Sequence, residues 1–581
     1  MKKLMLGNEA VAQGAWEAGV AFGSGYPGTP STEILEHLAS HEEVVVQWAP
    51  NEKVGLEVSI GAMLAGERAL CTMKHVGLNV AADPFFSAAY TGVNGGLVVV
   101  SADDPAMHSS QDEQDNRYFA KAAKVLMVEP ADPDEACWMA REAFSLSEQF
   151  DSPVLMRMTT RVSHQTGVVN VGGKQAVSGK GFKKNIAKYV LLPSHARERR
   201  HDVEQRLQAA RAFGNQSGLW NPIYEGKSRI GVVTSGVAFG YVRETMPDAS
   251  ILKIGLTWPL PIERIKSFAA TVDELFVVEE LEPFIEEALL AAGLEVKGSA
   301  LRPYTGELNL TVVEKMLLGA PKHVATVDLS DAPLPPRPPT LCPGCGHRAM
   351  FDLFREMRLR VMGDIGCYTL GALKPLAAMD ACLCMGASVG MAEGLQRFGG
   401  PKEKGKTVGV IGDSTFFHSG IPGLLDMLAN RSDATLVILD NSVTAMTGGQ
   451  PNPGTGKDIR GNDAPQLDTA TVCKGLGVKR VRVVDPYKLD EVRKAIEEEL
   501  AAPEVSVIIA KAPCILQYRV TRGRPAEVKT DICNRCGACI RVGCMAIHEH
   551  DGYPEVDPEM CNGCGVCEQV CEEKAITIPK A

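Results

Sequence analysis

The stretch "KTVGVIGDSTFFHSGIPGLLDMLANRSDATLVILDN", Lys406–Asn441, sets two apolar runs on either side of a helical pattern. Continuous Val, Ile and Leu runs of this length suit strands buried on both faces of a parallel sheet, and the segment between them reads as the crossover helix. A right-handed crossover makes the strands parallel. Asp413 after the first run and Asn441 after the second then emerge at the same carboxyl edge, where open α/β sheets bind ligands. One carboxylate, one amide oxygen and a nearby backbone carbonyl are hard donors suited to magnesium, with phosphate oxygens completing the octahedron. Strand-ending Asp and Asn also cap helices and form turns, so the pair alone leaves both readings open.

The same alternation extends in both directions. A chain of 581 residues suggests three or four domains at ~100 to 200 residues each. Residues 1–185 mix helical patterns with runs such as "VVVQWA", "GLVVVSADD" and "SPVLMRM", an α/β pattern. Residues 186–330 open on the charged helical stretch "HARERRHDVEQRLQAARAF" and continue as a smaller α/β unit. Residues 331–340, "DAPLPPRPPT", are too proline-rich for helix or a central strand and read as a linker. Residues 341–525 form a third α/β unit, and 526–581 are short-stepped and cysteine-rich.

Composition excludes several classes. Hydrophobic content of 45% and charged content of 23% are those of a globular protein. A net charge of −11 offers no basic stripe for nucleic acid. No apolar run approaches the ~20 residues needed to cross a bilayer, and the start "MKKLMLGNEAVAQGAW" lacks the pattern of a secretory signal. A cytoplasmic location is expected, where clustered cysteines bind metal more often than they pair.

Eight of the seventeen cysteines lie between Cys533 and Cys571. "CNRCGACIRVGC" and "CNGCGVCEQVC" each set three cysteines at three-residue steps with a fourth further on, which matches bacterial ferredoxins. In that pattern the fourth cysteine of each run serves the other cluster. By this resemblance one [4Fe-4S] cluster uses Cys533, Cys536, Cys539 and Cys571, and the other Cys544, Cys561, Cys564 and Cys567. Paired zinc knuckles fit less well, since zinc sites offer two cysteine pairs across a long gap. The first run carries four residues before its last cysteine, and neither run is followed by proline.

Gly412-Asp413-Ser414 with Asn441 resembles the thiamine diphosphate signature, with Ser414 in place of the usual third glycine. By carry-over the magnesium ligands are Asp413, Asn441 and the carbonyl of Val443. Thiamine chemistry also needs a glutamate at the aminopyrimidine ring, and Glu52 in "WAPNEKVGLEV" is the first candidate, ahead of Glu57 and Glu33. As a first-turn acid, Glu52 also suits the helix dipole alone. Together with "SGYPGTPSTEI", "CPGCGHR", "GDIGCYTLG" and "DNSVTAMTGG", these features resemble the 2-oxoacid:ferredoxin oxidoreductases, and within them the large (alpha) subunit of the indolepyruvate branch.

The resemblance implies two thiamine-diphosphate-binding-type domains, a transketolase C-terminal-like α/β domain and a two-cluster ferredoxin-like α+β domain. It implies oxidative decarboxylation of an aryl 2-oxoacid with coenzyme A, and electron delivery to ferredoxin. It also implies a small beta subunit and a dimer of alpha-beta heterodimers. Thr29 would lie near the reacting carbonyl and Arg117 at the substrate carboxylate, with a solvated helix charge the plain alternative for Arg117. Gly344, Cys345, Gly346, His347 and Cys367 would approach the cofactor diphosphate. Cys342, Cys345 and His347 lack a nearby fourth ligand in sequence and make a poor zinc site. His75 would border the substrate pocket or be a satisfied polar residue, and Cys382 and Cys384 would serve packing. The rival activities are the same chemistry on phenylpyruvate, 4-hydroxyphenylpyruvate or pyruvate, electron transfer beside a decayed thiamine site, and nonoxidative decarboxylation.

Overall fold

The computed structural model describes residues 1–303, 305–322 and 337–579. The chain divides into two compact units, Met1–Asp331 and Ala332–Ala581. Most of the proline-rich linker expected at 331–340 lies outside the described residues, and 337–340 have no regular structure.

The first unit is built on a seven-stranded sheet. Its order is Leu256–Trp258, Leu126–Val128, Val154–Thr159, Leu97–Asp103, Ala69–Lys74, Phe22–Gly25 and Val45–Trp48. Six strands are parallel, and Leu256–Trp258 adds an antiparallel edge. All of Leu97–Asp103 is buried, which is why its first four residues, Leu97 to Val100, read as a continuous apolar run. Two of the helices on the sheet begin at side-chain caps: Asn51 accepts from the Val54 amide before Glu52–Leu64, and Asp132 accepts from the Glu135 amide before Pro133–Phe150. The helix Gly7–Glu17 packs on Pro133–Phe150 so closely that a Cβ on Gly14 would stand 2.0 Å from the Cys137 carbonyl oxygen.

A second sheet in this unit runs Glu274–Val278, Ile230–Ser235, Ser250–Ile254 and the short antiparallel edge Ile223–Tyr224. The expected boundary at 185/186 lies inside the first compact unit. Strand Leu256–Trp258 pairs with Leu126–Val128, and one core cluster joins Phe85, Met127 and Leu155 to Leu252, Phe268 and Phe284.

The second unit holds a six-stranded, all-parallel sheet. Its order is Ala381–Cys382, Arg360–Gly363, Thr407–Gly412, Thr435–Asp440, Ser506–Lys511 and Arg480–Val484. Thr407–Gly412 and Thr435–Asp440 are adjacent, with Gly412 opposite Leu439. The crossover contains a π-turn, Phe416–Gly420, before the helix Ile421–Ala429. The cysteine-rich tail carries two small antiparallel pairs, Glu527–Val528 with Ile576–Thr577 and Ile547–His550 with Tyr553–Val556. Asp551 and Gly552 at the tip of the second have φ of 48° and 78°, as a two-residue type I′ turn requires. The tail's two halves match, each with a glycine at positive φ, Gly537 or Gly565, before a short helix. Among the described residues no helix is long and apolar enough to cross a membrane.

Candidate functional site

At the carboxyl edge of the second unit's sheet, Asp413 follows Gly412 directly and opens a single helical turn. It is 3% exposed, and its Oδ2 accepts from Nδ2 of Asn452 at 2.9 Å. Burial pushes the carboxyl up to about 7, with the negative charge of Asp440 adding to the push and Asn452 opposing it. A buried carboxylate of this kind favours a cation. Gly412 has no room for a side chain, because a Cβ there would meet the Tyr368 ring at 2.8 Å. Ser414 uses its hydroxyl, which accepts from Thr444 Oγ1 at 2.8 Å. The turn after the first strand is thereby tied to the loop after the second.

Asn441 follows the second strand. Its Oδ1 accepts from the Val443 amide at 3.2 Å, and its Nδ2 stands 3.5 Å from Nε2 of His347. Burial lowers His347 to about 4, so the imidazole is neutral near pH 7 and can face an amide.

Asn441 and His347 line a cavity of about 340 Å³ together with four thiols, Cys342, Cys345, Cys367 and Cys514. Burial pushes Cys345 up to about 12 and Cys367 to about 11, and the neighbouring thiols add to both shifts. Such a group of thiols is costly to ionise alone and suits a soft positive centre, which converts it to thiolates. The fourth sulfur that "CPGCGH" lacks in sequence comes from Cys514, at the carboxyl end of strand Ser506–Lys511. Only the order of strands in the sheet brings it there.

The tail thiols gather in two sets. Cys544, Cys561, Cys564 and Cys567 line one cavity, whose wall includes Gly344 and Cys345. Burial pushes Cys567 up to about 12, with Cys564, Cys561 and Cys544 adding. Cys539 is likewise pushed up by burial, with Cys571 and Cys533 adding. Among the described residues no three of His, Cys, Asp and Glu close on a single metal ion. A cubane carries its thiolates at separate corners, so the thiol sets suit clusters rather than zinc. Arg348, in the helix that follows "CPGCGH", donates to the carbonyls of Val542 and Gly543, and Tyr487 Oη donates to the Gly344 carbonyl at 2.7 Å. The expected boundary at 525/526 therefore lies inside one compact unit.

In the first unit, Thr29, Glu52 and His75 all follow carboxyl ends of parallel strands. Glu52 is 5% exposed and lies against Gly77, where a Cβ would meet its Oε1 at 2.6 Å. Glu57 is an exposed partner of Lys53, and Glu33 is bound to Asn8. Of the three acids, Glu52 is the enclosed one. His75 is fully buried, with Nε2 near Asp112 and Nδ1 without a hydrogen-bond partner. Thr29 is half-buried, and its carbonyl accepts from Ser109 Oγ at 3.3 Å.

Arg117 is not the solvated helix charge of the plain alternative. It is fully buried, with its guanidinium held by Asp115, by Glu279 at 2.6 Å and by the carbonyls of Glu280 and Glu282. Burial opposes its charge, but Asp115 and Glu279 override that and hold its pKa well above the ordinary value. Arg117 therefore fastens the first sheet to the second. The sequence spacing could not reveal this, because Glu279 lies 162 residues away.

Residues 13–208 match the family model "Pyruvate flavodoxin/ferredoxin oxidoreductase, thiamine diP-bdg", residues 364–510 "Thiamine pyrophosphate enzyme, C-terminal TPP binding domain", and residues 554–577 "4Fe-4S binding domain". The indolepyruvate oxidoreductase subunit IorA of Methanothermobacter thermautotrophicus is 40% identical, over 99% of this chain and 97% of its own. The subunit of the same name from Archaeoglobus fulgidus is 39% identical over 100% and 98%. The chain belongs to the IorA family. It is a thiamine diphosphate-dependent 2-oxoacid oxidoreductase with a C-terminal [4Fe-4S] domain. A more distant relative, the 2-oxoglutarate synthase subunit KorA of M. thermautotrophicus, is 25% identical over 50% of the chain and 90% of its own. A solved 2-oxoglutarate:ferredoxin oxidoreductase from Magnetococcus marinus aligns over 51% of the chain and 61% of its own at 18% identity, with a TM-score of 0.44.

Proposed function

We propose that the protein is the alpha subunit of an enzyme that oxidatively decarboxylates an aryl 2-oxoacid, indolepyruvate first among them, with coenzyme A. The products are the arylacetyl-CoA, carbon dioxide, a proton and two electrons, which pass to ferredoxin. The name borne by relatives that match nearly the whole chain supports the substrate and the existence of a partner subunit. The observation that carries the chemistry is one cavity lined by Asn441, His347 and four thiols, because it sets hard oxygen donors for a metal-bound diphosphate beside soft donors for an electron acceptor.

Asp413, Asn441 and the Val443 carbonyl hold Mg²⁺, and the neutral His347 and the Gly344–Gly346 loop face the diphosphate. When bound, thiamine diphosphate supplies the electron sink for decarboxylation, and the clusters take the electrons singly. Glu52 holds and exchanges the proton at the aminopyrimidine, a task for which an enclosed carboxyl is suited. Thr29 and His75 belong to the wall around the substrate. Cys342, Cys345, Cys367 and Cys514 hold one cluster. The tail holds two more, one on Cys544, Cys561, Cys564 and Cys567 and the other on Cys533, Cys536, Cys539 and Cys571.

The test is a panel of 2-oxoacids assayed by viologen reduction, with the partner subunit supplied. Aryl substrates in first place support the proposal, and 2-oxoglutarate or pyruvate in first place would refute its substrate.

A further inference from the structure

Asp413 has a companion that no motif signals. Asn452, in the loop after the second strand, is 9% exposed and donates from Nδ2 to Oδ2 of Asp413 at 2.9 Å. Its Oδ1 accepts from the Gly454 amide at 2.8 Å. Its main-chain carbonyl accepts from the amide and hydroxyl of Thr455 at 2.9 and 2.8 Å. A carboxylate can only accept and a backbone N–H can only donate, so both partners dictate the same orientation of the amide. Among the described residues, the side-chain hydrogen bond to Asp413 comes from Asn452.

A carboxylate oxygen that already accepts from an amide keeps one lone pair, so chelation of a single cation through both oxygens of Asp413 is disfavoured and ligation through one is favoured. The two common hard cations differ on this point. Mg²⁺ demands near-ideal octahedral geometry with ligands at ~2.0–2.1 Å, whereas Ca²⁺ takes six to eight oxygens at ~2.3–2.6 Å and readily accepts a carboxylate through both. We propose that Asn452 is a specificity-determining residue of the cation site. By holding Oδ2 it biases Asp413 toward one-oxygen ligation and favours Mg²⁺ over Ca²⁺. The inference rests on the reading of Asp413 as a cation ligand. The Thr444 to Ser414 hydrogen bond complements it by tying the turn that carries Asp413 to the loop after Asn441.

The test uses the chain purified with its partner subunit and stripped of cofactor. Thiamine diphosphate binding is titrated by calorimetry with MgCl₂ or CaCl₂ as the sole divalent salt. Asn452→Leu removes both side-chain bonds, and Asn452→Asp keeps the acceptor for Gly454 while losing the donor to Asp413. Both variants are expected to lower the Mg²⁺ to Ca²⁺ affinity ratio about tenfold or more, the scale of a hydrogen bond to a charged group. An unchanged ratio, or equal weakening with both cations, would show that Asn452 only supports the loop and would overturn the inference. Should Asn452→Leu hold no cofactor, the ratio in Asn452→Asp decides. If the unaltered protein binds thiamine diphosphate with neither cation, the cation-site reading itself fails and takes the inference with it.

Discussion

At the residue scale the chain buries carboxylates and then fixes each by what faces it. Asp413 faces an amide, so Asp413→Ala is expected to weaken Mg²⁺-dependent thiamine diphosphate binding by about a hundredfold or more, given ~1.5–3 kcal/mol for each bond to a charged group; calorimetry checks it. Glu52→Gln should leave that binding intact and lower turnover at least about a hundredfold, the usual reach of a positioned proton carrier, measured as kcat. Glu280 is 5% exposed, and burial raises it to about 7 against the pull of Arg157 and the Leu308 amide. Between roughly pH 4.5, its ordinary value, and pH 7, the folded state keeps a proton that the unfolded state releases. Stability therefore falls with rising pH through that window and levels off above it. Glu280→Gln should flatten the slope of melting temperature against pH there. The local motifs Asp413, Asn441 and the cysteine runs were legible because the donors lie close in sequence. Arg117, Cys514 and Asn452 were not, because their partners come from distant segments.

At the scale of elements the central parallel strands Thr407–Gly412, Thr435–Asp440 and Ser506–Lys511 were legible from their apolar runs, since they are buried almost throughout, whereas Arg480–Val484, which is half-buried, carries no such run. Leu256–Trp258 was not legible: three residues carry no periodicity, and only their pairing with Leu126–Val128 shows that they belong to the first sheet. The contact of Gly7–Glu17 with Pro133–Phe150 depends on Gly14 having no side chain. Gly14→Ala drives a methyl into the Cys137 carbonyl and should cost about 1–3 kcal/mol, read as a lowered urea midpoint.

At the scale of the molecule, the proposed reaction draws on Glu52 of the first unit and on Asp413 and the thiol sets of the second. The tail is bound to the loop of Cys342–His347 through Arg348 and belongs to the second unit's body. On the proposed assignment of a cluster to Cys342, Cys345, Cys367 and Cys514, Cys514→Ser should remove about one cluster's share of iron and leave the spectrum of the iron–sulfur tail in place. The central claim is that decarboxylation is coupled to electron export. It is tested most directly with the purified two-subunit complex given indolepyruvate, coenzyme A, thiamine diphosphate, Mg²⁺ and viologen, while carbon dioxide and reduced viologen are followed together. The account predicts two electrons for each carbon dioxide, with turnover dependent on coenzyme A and on the acceptor. Carbon dioxide and free aldehyde released at full rate without an acceptor would contradict it.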